Sequence, residues 1–109
     1  MQSPRRHAIL QSEIYIGIRA RNDSLAVAAL RGDRPCIEVD FPATPLGLQA
    51  IRGVLDDYEE QFIRLAVSGS QAVDLAFALG NAPHRETFVV PARVADTPGD
   101  LARFASRAV

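Results

Sequence analysis

Glu13-Ile14-Tyr15-Ile16-Gly17-Ile18-Arg19 is the stretch on which the reading of this chain turns. Ile14, Ile16 and Ile18 point one way, and Glu13, Tyr15, Gly17 and Arg19 point the other. A period of two with β-branched residues at the apolar positions predicts a strand. The segments on either side of it make this strand the expected centre of a sheet. Its C-terminal end, Arg19, then faces the place where open α/β sheets keep their chemistry.

Working outward, Arg21-Asn22-Asp23-Ser24 supplies turn chemistry, because Asn and Asp tolerate left-handed backbone. Leu25 to Leu30, caught between two turns, reads as a second strand. Arg31-Gly32-Asp33-Arg34-Pro35 is the next turn. Cys36 to Phe41 alternates cleanly, with Ile37, Val39 and Phe41 inward and Glu38 and Asp40 outward. Strands joined by such short turns run antiparallel, so the chain opens as a meander.

The pattern changes at Pro42. Thr44 followed by Pro45 is a helix cap with proline at the first helical position. Leu48, Ile51, Leu55, Tyr58 and Phe62 recur at helical spacing, with Arg52, Asp56, Glu59 and Glu60 between them, which predicts an amphipathic helix of about four turns. Arg64 to Ser68 reads as a short buried parallel strand. Ser68-Gly69-Ser70 turns into Gln71–Leu79, a segment apolar nearly all round and stopped by Gly80 and Asn81, which predicts a helix buried against the sheet. Glu86 to Val90 is a fifth strand. Thr97, Pro98 and Asp100 open a last helix with Leu101, Phe104, Ala105 and Ala108 on its inner face.

The string is therefore βββαβαβα. Right-handed crossovers leave few arrangements. The expected one is an α/β domain with a mixed five-stranded sheet in the order 3-2-1-4-5 and helices on both faces. Residues 1–12 are expected to be a flexible tail, and 13–109 a single domain.

With 109 residues the chain has room for one core. A net charge of −1 gives no bulk electrostatic argument for nucleic acid or an anionic membrane. All of the basic residues are arginine, and a codon bias accounts for that more simply than a phosphate-binding role. The single cysteine, Cys36, rules out an internal disulfide. His7 and His84 are far apart, and neither has carboxylates at a ligand-like spacing. No apolar run approaches a membrane span, and the start of the chain lacks the apolar core of a secretory signal. A cytoplasmic protein with no membrane partner is expected.

Local wording then narrows the fold. Ile16-Gly17-Ile18-Arg19 stands where IS110-type transposases carry a V-G-I-D strand. Phe41-Pro42-Ala43-Thr44-Pro45-Leu46-Gly47-Leu48 is similar to their F-x-N-T-x-x-G-F lead into the first helix. Leu65-Ala66-Val67-Ser68-Gly69-Ser70 falls on a V-x-x-E-A-T-G strand end, and Val89-Val90-Pro91-Ala92-Arg93-Val94 on a V-V-N-P-x-x-V segment. Together these cover most of residues 14–95. The chain thus resembles the N-terminal, RuvC-like domain of that family, which implies a ribonuclease H-like fold.

The resemblance further implies a D-E-D-D set that binds two divalent ions and cuts and joins DNA. Hard cations need oxygen ligands, and a metal pair clamps the attacking and leaving oxygens. Carried across, the first aspartate falls on Arg19, the glutamate on Ser68, and the last pair on Thr97 and Asp100. At most Asp100 survives, and a capping role beside Thr97 suffices to explain it. A fixed guanidinium at the first position repels the cation the site was built for. The chain also stops at Val109, short of the helical linker and the serine-bearing C-terminal region of full transposases. The expectation is a degenerate, truncated relative: not an enzyme, with no metal and no cofactor.

Two functions are carried forward. One is a catalytically inactive, transposase-derived domain associated weakly with nucleic acid or acting in regulation. The other is a protein–protein or homodimerisation module. Two further readings concern sites. Relocated acids (Asp23, Glu38, Asp40, Asp74 and Asp96) would rebuild a nuclease, and Arg19 opposite Ser68, Gly69 and Ser70 would form an anion pocket. The acidic run Asp56-Asp57 and Glu59-Glu60 reads as a solvated helix face. An ion pair from Arg19 to Asp23, Asp96 or Asp100 is expected, or else solvation of the guanidinium.

Overall fold

The computed structural model describes residues 13–32, 34–58, 61–80, 84–95 and 97–107; the tail expected over 1–12 lies outside them. Glu13–Ala20 forms β1, Ser24–Arg31 forms β2 and Arg34–Pro42 forms β3. Helix α1 spans Pro45–Asp57, β4 spans Phe62–Gly69, α2 spans Ala72–Leu79 and β5 spans Arg85–Val89. A 3-10 turn at Ala92–Val94 leads to helix α3, Pro98–Arg107. The strands lie in the order β3-β2-β1-β4-β5. β1 is antiparallel to β2 and parallel to β4, and β4 is parallel to β5. This is the α/β architecture and strand order that the alternation and the short turns predict.

The period of two in β1 sorts the core into two layers. Ile14, Ile16 and Ile18 pack with Val27 and Ala29 of β2, Leu65 and Val67 of β4, Ile51 and Leu55 of α1, and Ala72 and Leu79 of α2. Each such large side chain taken out of water contributes about 1.5–3 kcal/mol. On the opposite face Ala66, Val90, Ala95, Leu101 and Ala105 form a second cluster, flanked by Tyr15 and Phe88. Helices α1 and α2 thus cover one face and α3 the other.

Gly17 sets how closely α3 approaches. A Cβ there would press into the Pro98 carbonyl oxygen and come within 2.6 Å of both Ala102 N and Leu101 Cβ. The helix backbone rests directly on the central strand because that strand has no side chain at this point. Leu101, Ala102 and Ala105 are consequently fully buried.

Both predicted threonine caps are made. Thr44 Oγ1 accepts from Gly47 N at 3.1 Å, and Thr97 Oγ1 accepts from Asp100 N at 3.0 Å. Other local expectations are corrected. Phe62 belongs to β4, because α1 ends at Asp57 with Tyr58 as its C-cap. The cap position of α2 is held by Gln71, in the left-handed region at φ 57°, without a side-chain cap. Nor is α2 buried all round, for only Ala72 and Leu79 are buried while Val73 and Phe77 stand 68% and 89% exposed. Phe104 is half out of the second core, tilted against Phe88 at 6.4 Å between ring centroids. Ala108 and Asn81 lie outside the described residues.

Candidate functional site

Arg19 and Ser68 are register partners across the parallel β1–β4 pair. Alternation turns both toward the face that α3 covers, near the C-terminal ends of their strands. The two positions singled out in sequence therefore stand side by side. Thr97 and Asp100 open the helix that crosses the same face over Gly17.

The chemistry of this corner is cationic and sparse. Arg19 Nη1 donates to the carbonyl oxygens of Ala95, at 3.0 Å, and Ala92, at 3.3 Å. The segment between β5 and α3 is thereby stapled to the end of the central strand. The expected pairs to Asp23 and Asp100 are not formed, and among the described residues no carboxylate is paired with Arg19. Asp96, one of the expected partners, lies outside them. Asp100 is exposed and turned along its own helix, 3.6 Å from Arg103. Ser68 is fully buried and its Oγ has no hydrogen-bond partner among the described residues.

The other residues of the suggested anion pocket divide between the faces. Ser70 donates its backbone N–H to Ala20 O at 2.9 Å, and its Oγ lies 3.5 Å from Asn22 Oδ1. It opens on the face that carries α1 and α2, away from Arg19 and Ser68. Gly69, between them, has a φ of 101° that reverses the chain there.

The scattered acids stay scattered. Glu38 and Asp40 are exposed on the edge strand β3, Asp23 is in the β1–β2 turn, and Asp74 is on α2 across the sheet. Among the described residues no group of three or more His, Cys, Asp or Glu side chains is placed to hold a metal ion. Asp56 and Asp57 are exposed on α1, while Glu59, Glu60 and His7 lie outside the described residues. Cys36 is exposed on the edge strand β3; its Sγ is 3.5 Å from Ala29 O and 3.8 Å from the Tyr58 hydroxyl. Burial, followed by the Cys36 contact, raises the Tyr58 pKa above its ordinary value. At the far end of β1, Tyr15 donates to Glu13 Oε1 at 2.6 Å, and that bond, with some burial, raises its own pKa. Arg64 lies between Glu13 and Glu86, at 3.8 and 3.4 Å.

A feature the sequence reading missed is a groove of about 440 Å³ between α1 and α2. Leu25, Leu48, Leu75 and Ala78 line its apolar part, and Arg21, Thr44, Gln71 and Asp74 its polar rim. Val73 and Phe77 on α2 are 68% and 89% exposed and do not line it, and Leu46 is 75% exposed on α1. The surplus of apolar residues in Gln71–Leu79 was the available signal, since a short helix packed on one side cannot bury them all.

Comparison with protein-family models and with curated proteins finds no significant match. No described helix is long and apolar enough to cross a membrane.

Proposed function

We propose that this chain is a ribonuclease H-like domain, related to the N-terminal domain of IS110-type transposases, that lacks metal-dependent strand cleavage and acts by association. The strand order, the antiparallel first three strands, the parallel β1–β4 pair and helices on both faces are what that fold requires. One observation carries the loss of cleavage. The guanidinium of Arg19, on the strand end where the family's first aspartate falls, is engaged with the Ala92 and Ala95 carbonyls. A second cation at that point meets a fixed positive charge, and its neighbour Ser68 offers a neutral hydroxyl in place of a carboxylate.

Association with nucleic acid follows from the proposed ancestry. It is tested by binding of labelled duplex and branched DNA over a salt series, with cleavage monitored in magnesium and manganese. Binding with a steep negative salt slope and no cleavage supports it, because phosphate contacts release counterions. Metal-dependent cleavage that vanishes in an Asp100→Asn variant contradicts the loss of catalysis. A second reading, association with protein, is favoured by Phe77, Val73 and Leu46, large apolar side chains left exposed on the two helices of one sheet face.

A further inference from the structure

We infer that the groove between α1 and α2 is a binding site for a free α-amino acid with an apolar side chain. The topology marks its place. The chain leaves β1 toward β2 and leaves β4 toward β5, so it departs in opposite directions from two parallel neighbours. In open α/β sheets such a reversal opens a crevice outside the carboxyl ends of the strands, and ligands bind there. The groove occupies that crevice: Ala20 and Arg21 come from the end of β1, Ser70 and Gln71 from the end of β4, and Thr44 from the entry to α1. Its strand side is fixed, because Ser70 N–H donates to Ala20 O at 2.9 Å and ties the two strand ends together. A volume of about 440 Å³ lies within the range of small-molecule pockets. The groove opens on the face of the sheet opposite Arg19 and Ser68, so it stands apart from the proposed loss of nuclease chemistry.

The lining selects the ligand. Ala20 and Leu25 are buried, while Leu48 and Leu75 are only half-buried, an aliphatic surface that an apolar side chain would complete. Among the described residues no aromatic side chain lines the groove, so a planar base has nothing to stack on. Two charged residues of opposite sign meet it, Arg21 from the β1–β2 turn and Asp74 from the first turn of α2. Neither is ion-paired with the other or with any other described residue. A guanidinium matches a carboxylate through a fork of two hydrogen bonds, and a carboxylate matches an ammonium. A simple carboxylic acid would bring a like charge to Asp74, and a simple amine would bring one to Arg21. A zwitterion carrying an apolar side chain meets both charges and the aliphatic surface at once.

Amide NMR titration of the full chain tests the inference. The probes are L-leucine, L-phenylalanine, isocaproate (leucine without its amino group) and isoamylamine (leucine without its carboxylate). Saturable shifts with leucine or phenylalanine are expected within 20–25, 44–48 and 70–78. Isocaproate and isoamylamine should each bind about tenfold or more weakly than the better amino acid, since each loses one charge-assisted contact and places a like charge at the other. Arg21→Ala and Asp74→Ala should each lower the amino-acid affinity by about the same factor. Both side chains are exposed, so the circular dichroism spectrum should not change. No saturable shift with either amino acid up to its solubility limit, or shifts confined to other residues, overturns the inference. Either analogue binding as tightly as the amino acid overturns it too, as does an affinity indifferent to Arg21→Ala and Asp74→Ala.

Discussion

Gly17→Ala is the substitution whose cost follows most directly from the geometry. The new methyl group would occupy the space of the Pro98 carbonyl oxygen and lie 2.6 Å from Ala102 N and Leu101 Cβ. Two of these neighbours are helix backbone, so no rotamer change relieves the contact. Helix α3 must lift off the sheet, opening space beneath the fully buried Leu101, Ala102 and Ala105. Overpacking of a core costs about 1–3 kcal/mol, and the loss of α3 packing places this case at or above the top of that range. For a domain near 100 residues, about 3 kcal/mol is a fall in Tm on the order of 12–24 °C. Urea denaturation followed by far-UV circular dichroism measures it. Gly53→Ala is the matched control: it lies in α1 with nothing within 4 Å of a new Cβ, and should gain about 0.5–1 kcal/mol because alanine loses less backbone entropy in a helix. A Gly17→Ala protein within about 0.5 kcal/mol of wild type, the ordinary spread for surface changes, would refute the placement of α3 on β1.

Three other outcomes are expected. Arg19→Ala removes the charged donor shared by the Ala92 and Ala95 carbonyls; it should cost about 1–2 kcal/mol in urea titrations, because hydrogen bonds to charged groups exceed neutral ones but this one is partly solvated. Ser68→Ala deletes a buried hydroxyl without a partner and should be neutral or stabilising by up to about 1 kcal/mol; a loss of more than about 2 kcal/mol would mean that the hydroxyl has a partner after all. The raised tyrosine pKa values favour the protonated form in the folded state, at Tyr15 chiefly through its bond to Glu13 and at Tyr58 chiefly through burial. Their contribution is therefore complete below the ordinary tyrosine pKa of 10.0 and is lost as pH rises through the folded values, so stability should fall above pH 10 and fall less in Tyr15→Phe.

The sheet was legible because its causes are local. Alternating isoleucines in β1, turn residues at 21–24 and 31–35, and threonine caps before α1 and α3 each announce their structure in neighbouring residues. Strand directions followed from loop length, since short turns enforce antiparallel pairing and a helix between two strands allows a parallel return, and right-handed crossovers then narrowed the order. What stayed hidden depends on groups that carry no side-chain signature. The partners of Arg19 are backbone carbonyls more than seventy residues away, and any residue type can supply a carbonyl. The outward face of α2 was misread for a related reason: Val73 and Phe77 look the same in sequence whether they meet their own core or await a partner. Phe62 kept the helical spacing of α1 by coincidence, while the chain had already turned at Tyr58 to begin β4.

Calorimetric titration with magnesium and manganese tests the account of the β1–β4 corner most directly, with wild type and an Arg19→Asp/Ser68→Glu double variant run side by side. The wild type should show no saturable heat, and the folded double variant should show weak binding of either ion, since two carboxylates then face each other on adjacent strands. Stoichiometric binding by the wild type, abolished by Asp100→Asn, would contradict the loss of the metal site.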